Sequence, residues 1–286
     1  MDITTLIRSI NVQHSTTFGP VERYRSGEQG AFALVDATGR HAVLKWSRDT
    51  RYVSTIQDVM RTTDALRLAG YPVPHYLFTG IVEEGAYAIQ ESLPGVPLHI
   101  LTPHYLTEVF TLNNIQPGRA ILPQDEWPAR VVNTVLYGGD GYCIIETLRT
   151  YSSTTVELLH VLQAVVNAHR DDDYTTNDIV HYDFHCENIL ISDNHISGVI
   201  DWDGTCSGDA GFDLVTLLCY AYTQHDESVK AQLWSRAMER SGRAAVSVYI
   251  AHMLVRQIDW AIRFYPDSIA PWLHIASELL QYIQDT

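Results

Sequence analysis

Leu-Pro-Gly-Val-Pro at residues 93–97 divides the chain into two patterns, and no other feature limits the fold as much. Two prolines around a glycine suit neither a helix interior nor a central strand. Before this point, short apolar runs alternate with turn residues. The stretches 31–36 and 41–46 flank Ala-Thr-Gly-Arg as one hairpin, and 75–80 and 86–90 flank Glu-Glu-Gly as further strands. Between them Val53, Ile56, Val59, Met60, Ala65 and Leu68 fall roughly on one side of a helix over 52–69. Gly70 and Tyr-Pro-Val-Pro then end it. Beyond residue 97 the pattern is mainly helical. The best-defined helix covers 153–169, with Val156, Leu159, Leu162 and Val166 as its apolar stripe. Two short strands follow, 188–192 and 197–201, joined by the turn Asp-Asn-His, and four helices fill 209–286. The expected fold is α+β and bilobal. A small antiparallel β-sheet lobe (1–92) is joined by a hinge (93–97) to a larger helical lobe (98–286). A cleft between such lobes is a natural ligand site.

Composition sets outer bounds. With 286 residues, 46% hydrophobic and 19% charged, the chain has ample material for a core. It has no apolar run long enough for a membrane span and no signal-like N-terminus. The four cysteines, at 143, 186, 206 and 219, form no Cys-x-x-Cys pair, which suggests free thiols in a reducing cytoplasm. The net charge of −15 argues against nucleic acid and anionic membranes as partners, and no obligate protein partner is expected. The charge is unevenly spread. Residues 1–96 carry 10 acids and 9 Lys/Arg, and residues 97–286 carry 24 and 10, so the helical lobe holds −14 of the −15.

The densest chemistry lies in His181-Tyr-Asp-Phe-His-Cys-Glu-Asn188, followed by Ile200-Asp-Trp-Asp203. Polar groups beside β-branched runs are either hydrogen-bonded or used. A hairpin over 189–201 would bring Asn188 and Asp201 together at its open end. An amide and a carboxylate are hard oxygen donors suited to Mg²⁺, which keeps waters and takes further ligands from phosphates. Asp183 could accept a proton from a substrate hydroxyl, and Lys45, on a predicted strand, offers a cation to phosphate oxygens. Together these are the parts of phosphoryl transfer.

His-x-Asp-x-x-x-x-Asn (181–188), then Ile-Asp-Trp-Asp, then Gly-Asp-Ala-Gly-Phe-Asp (208–213), resembles the aminoglycoside phosphotransferase family of the protein-kinase-like superfamily. His181, Asp183, His185 and Asn188 match its catalytic loop, and Tyr182 stands where that family usually has glycine. The resemblance covers roughly residues 20–225. It implies a kinase-like fold, with ATP or GTP and Mg²⁺ as cofactors. In that family's terms Asp183 is the catalytic base, Asn188 and Asp201 hold the metal, and Lys45 binds the α/β-phosphates. Gly27 and Gly30 of Ser-Gly-Glu-Gln-Gly lie where the phosphate-covering loop belongs, although the pattern is not Gly-x-Gly-x-x-Gly. Glu91, Ser92 and Leu93 would form the hinge whose backbone groups read adenine. Asp58 is the candidate partner of Lys45, shorter by one methylene than the usual helix Glu. His181, His185, Asp209 and Asp213 are expected to support the loop, with Asp213 bracing it through backbone N–H groups.

The implied activity is phosphorylation of a small hydroxylated molecule. The acidic second lobe favours a cationic acceptor, an aminoglycoside-like antibiotic first, with Asp226, Glu227 and Asp259 as candidate contacts. The alternatives are a metabolite kinase of the choline, homoserine or sugar kinase type, and a nucleotide-binding pseudokinase. Gly208 comes only seven positions after Asp201, and there is no Ala-Pro-Glu segment, which disfavours a protein substrate.

Overall fold

The computed structural model describes residues 3–23, 31–82, 85–124, 126–139, 142–224 and 226–283. The chain divides into two compact units. The first contains Met1–Pro97 and Ile189–Asp203, and the second Leu98–Asn188 and Gly204–Thr286.

The first unit is built on a five-stranded antiparallel sheet in the order β1-β2-β3-β5-β4. Its strands are β1 (Gly19–Arg23), β2 (Ala31–Val35), β3 (His41–Ser47), β4 (Tyr76–Val82) and β5 (Gly85–Glu91). Alternation along β2 and β3 sends Leu34, Ala42 and Leu44 into a core shared with Tyr87 and Ile89. Helix α1 (Ile3–His14) covers that core with Leu6, Ile7 and Ile10. It adds to the elements expected from sequence, because its three buried residues only define a face once the sheet is present. Helix α2 (Tyr52–Leu68) buries Ile56, Val59 and Leu66. Thr63 sits in the same stripe, its hydroxyl satisfied by the Val59 carbonyl at 2.9 Å.

The segment after the prolines returns to this unit. Strand β6 (Val96–Pro97) pairs with β8 (Ile189–Ser192), which forms a hairpin with β9 (His195–Val199). The glycine between the two prolines is structurally required: Gly95 has φ of 114°, and a Cβ there would lie 2.5 Å from the Ile191 carbonyl oxygen. Strand β9 ends at Val199, two residues before the expected Asp201. Asp201 instead takes a left-handed conformation with φ of 65°, because the chain turns there into the short 3₁₀ segment Trp202–Gly204. Trp202 is buried, donates to the Val199 carbonyl and meets Tyr71 edge-on. It is a packing residue.

The second unit is a helical assembly with one small ladder. Its helices are α3 (Pro103–Asn113), α4 (Trp127–Tyr137), α5 (Ile145–Tyr151), α6 (Ser153–His169), α7 (Gly211–Ala221), α8 (Glu227–Phe264) and α9 (Ile269–Ile283). Helix α6 opens on a capping box between Ser152 and Thr155. Helix α8 breaks at Gly242, whose φ of 76° and ψ of 165° are not helical, so the tail after residue 209 contains four helical runs. Helix α7 is buried almost all round, as expected for a run of Leu, Val, Phe and Ala. The ladder pairs β7 (Asp178–Val180) with β10 (Cys206–Gly208) and fixes both ends of the segment carrying the motif. The four cysteines are free thiols. Among the described residues, no helix is long and apolar enough to cross a membrane.

Candidate active site

In the second unit, β7 delivers the chain into the loop 181–188, and Asp213 on α7 holds that loop. Its carboxylate accepts from the backbone N–H of His181 (2.9 Å) and of Tyr182 (3.0 Å), and from the Gln116 amide (2.7 Å). Burial nevertheless pushes its pKa up to about 7 against these three donors. Asp209 does similar work at the start of α7, accepting from Gly211 N–H and the Tyr249 hydroxyl. His181 is fully buried, and its Nδ1 accepts from the Asp183 N–H at 3.2 Å. Asp209, Asp213 and His181 are thus part of the loop's scaffold.

Asp183 is half-buried, with about a third of its side chain accessible. One carboxylate oxygen accepts from Arg256 of α8 at 3.1 Å, and the other faces His185 Nε2 at 3.4 Å. Burial alone would raise its pKa, but His185 and Arg256 together hold it below the usual carboxylate range. Asn188 is buried, and its Nδ2 donates to the Asp183 carbonyl at 2.9 Å. That bond commits the nitrogen and leaves the amide oxygen as the atom suited to a cation. The His185 ring also lies tilted against that of Tyr220, with centroids 4.9 Å apart.

Tyr182 has φ of 75°, a left-handed backbone that costs a non-glycine residue about 1–3 kcal/mol unless its surroundings over-determine it. Here they do. The ring stacks on Phe212 (5.2 Å, 9°), and the hydroxyl bonds Tyr142 (2.7 Å) and His252 Nε2 (3.0 Å). The guanidinium groups of Arg130 and Arg256 lie 4.6 and 5.0 Å from the ring centroid. Packing therefore sustains the backbone shape that a glycine would adopt freely.

The first unit holds a second cluster. Lys45 on β3 stands opposite Ala31 and Ala88, small neighbours that leave room for its stem. It is 8% exposed, and its Nζ donates to Asp201 at 2.6 Å and Asp203 at 2.9 Å. Burial opposes the charge, but Asp203 and Asp201 more than restore it and hold the pKa well above the ordinary lysine range. Asp203 also accepts from the Tyr52 hydroxyl at 3.0 Å, tying the first turn of α2 to the lysine. Asp58, expected as the lysine's partner, instead pairs with Arg61 one turn along its own helix. Asp203 is brought close by the turn at Asp201, which no helical pattern foretells. Its signal in the sequence is the repeated acid of Asp-Trp-Asp.

Other expected residues fall as follows. Glu91 ends β5, and its carboxylate accepts from His75 N–H at 3.3 Å; Leu93 packs over Gly198. Gly27 and Gly30 lie outside the described residues. The three candidate acceptor acids have other occupations. Asp226 caps α8 by accepting from Ser228 and Val229 N–H. Glu227 pairs with Lys230 at 2.8 Å. Asp259 is fully buried, accepting from Nε and Nη2 of Arg263 and from the Thr147 hydroxyl. Burial rules Asp259 out as a surface for substrate, and its partner Arg263 lies four residues on, a pairing visible in the sequence. Arg256 escaped the sequence reading because its partner is 73 residues away.

Residues 148–248, which include both the Asp183–Asn188 loop and Asp201, match the family model described as the phosphotransferase enzyme family. The match spans 101 of the 286 residues, and over that span the chain is similar to a family whose reaction class is phosphotransfer. No curated protein matches it in sequence. Solved structures share its fold. A thermostable mutant of aminoglycoside phosphotransferase APH(4)-Ia in its apo form superposes with a TM-score of 0.74 at 16% identity, covering 96% of this chain and 98% of that one. A ternary complex of a thermostable mutant of the same enzyme with ADP and hygromycin B gives 0.69 at 16%, covering 98% and 99%. Amicoumacin kinase hAmiN, in complex with AMP-PNP, Ca²⁺ and Ami, gives 0.65 at 12%, covering 97% and 94%.

Proposed function

We propose that this phosphotransferase moves the γ-phosphoryl group of ATP to a hydroxyl of a small, polyhydroxylated, positively charged molecule, an aminoglycoside-like compound first. The observation that carries the ATP side is Lys45, ion-paired at 2.6 Å with Asp201 in a matched Ile-Asp-Trp-Asp motif. A buried lysine already matched to carboxylates is poised to exchange one of them for phosphate oxygens. The Asn188 amide oxygen and the half-exposed Asp201 carboxylate are each a hard oxygen donor of the kind Mg²⁺ takes, and by the motif these two residues would hold it. When bound, the metal supplies neutralisation of the charge on the β- and γ-phosphates.

Asp183 orients the acceptor hydroxyl and receives its proton as the new oxygen–phosphorus bond forms. The bond from the γ-phosphorus to the bridging oxygen breaks, and ADP leaves with that electron pair. Little covalent chemistry falls to the protein, so positioning and charge carry the rate. The cationic acceptor is supported by the −14 charge of residues 97–286. It is supported also by the aminoglycoside and amicoumacin kinases among the structural neighbours. With Asp226, Glu227 and Asp259 otherwise engaged, the acidic region would act through its summed field. A panel of hydroxylated acceptors assayed by ATP consumption tests the reading. KM for a polycation should climb steeply between low and physiological ionic strength, and phosphorylation of neutral or anionic acceptors only, without salt dependence, would overturn it.

A further inference from the structure

We propose that Arg256 is a positioning residue for the base, with Tyr182 as its seat, so that one guanidinium fork fixes where the Asp183 carboxylate points. Nη1 of Arg256 donates to the Tyr182 carbonyl at 3.0 Å, and Nη2 donates to Asp183 Oδ1 at 3.1 Å. Two donors on one rigid plane thus hold two consecutive residues of the loop. The same guanidinium lies 5.0 Å from the Tyr182 ring and 5.8 Å from that of Tyr142, so its own plane is confined by aromatic faces. The left-handed backbone of Tyr182 joins the parts. With Asp213 fixing the N–H groups of 181 and 182, φ of 75° sets the course of the chain between the Tyr182 carbonyl and Asp183.

This explains why a bulky ring occupies a strained position. A glycine there could adopt the turn, but it would remove the nearer of the two rings facing Arg256 and would break the link from Tyr182 to Tyr142 and His252. The inference rests on the reading of Asp183 as base. A lysine at 256 keeps the charge but, as a point donor, cannot span both acceptors. A positional fault of this kind lowers kcat and spares the nucleotide's KM, because the phosphates are assigned to other residues.

The test uses the full chain, with hydrolysis of Mg-ATP in the absence of added acceptor as the basal reaction and water as the nucleophile. Arg256→Lys and Arg256→Ala should lower the single-turnover rate about 10- to 100-fold, with KM for ATP within about twofold of wild type. Guanidinium chloride at low millimolar concentration should restore several-fold of the rate to Arg256→Ala and nothing to Arg256→Lys or Asp183→Asn. Thermal melts show whether each variant is folded under the assay conditions. Wild-type rates in both Arg256 variants overturn the proposal, as does a rate loss in folded Arg256→Ala that guanidinium does not relieve. If Arg256→Ala does not fold, Arg256→Lys decides through its kcat and KM. Asp183→Asn is read separately: its full activity would remove the base, whereas its loss beside unaffected Arg256 variants would remove only the positioning role.

Discussion

Lys45 and Arg256 each hold an acid of the proposed chemistry, and they are built on different plans. Lys45 sits on a strand whose register fixes it among small residues, and it is shared by two carboxylates two positions apart, Asp201 and Asp203. Arg256 comes from a helix 73 residues beyond Asp183 and divides its plane between a carboxylate and a carbonyl. A compact ammonium with two acids can give up one partner and remain neutralised, which suits a group that must receive phosphates. A planar fork loses its geometry when either end is lost, which suits a group that must set direction. The comparison suggests redundancy in the first unit and rigidity in the second.

The largest expected effect lies in the second unit. Asp183→Asn should lower kcat by about 10²- to 10⁴-fold while leaving nucleotide affinity near wild type, since the amide is nearly isosteric. Single-turnover kinetics beside calorimetric titration with Mg-ADP would check it, and a wild-type rate would remove Asp183 as base.

Next come the two oxygen donors. Asn188→Ala or Asp201→Ala should each weaken Mg²⁺-dependent nucleotide binding by about 10-fold or more. The double variant should be little worse than the weaker single one, because residues acting as a unit are not additive. Unchanged Mg²⁺-dependent affinity in Asp201→Ala would break the assignment.

His252 sharpens the comparison through stability. It is buried between the Tyr182 hydroxyl and the Val131 carbonyl, with Arg256 and Arg130 close by. Burial first, and then these cations, lower its pKa to about 3. A histidine depressed in the fold favours unfolding as pH falls through its unfolded value near 6.5, and the loss grows down toward pH 3. Denaturant titrations should show wild type losing about 2 kcal/mol more than His252→Gln between pH 7 and pH 5. Equal losses would show that the histidine is not held neutral. The variant pair is needed because Asp213, with its raised pKa, acts in the opposite direction over an overlapping range.

The smallest effect tests redundancy. Asp203→Asn should raise KM for ATP by no more than about 10-fold, since Asp201 still neutralises Lys45, and Asp58→Asn should change nothing, its partner being Arg61. A larger loss from Asp58→Asn than from Asp203→Asn would reverse the correction made above.

Much of this protein is visible in one dimension. The strands around Lys45, the helices at 52–68 and 153–169, and the spacing of Asp183, Asn188 and Asp201 all rest on local rules. Pleat, helical period and loop length are properties of neighbouring residues. The Asp213 brace was legible for a related reason, since a motif carries it along the chain. What the tertiary structure decided are the pairings between distant segments. Asp203 replaced Asp58 beside Lys45, the hairpin 189–203 packed with the first unit although it lies beyond the prolines, and Arg256 reached the 181–188 loop. Asp259, which looks in sequence like any surface acid, is buried on Arg263. Side-chain pairing depends on where folded backbones bring two groups within about 3 Å, and residues far apart in the chain leave no periodic trace of that meeting.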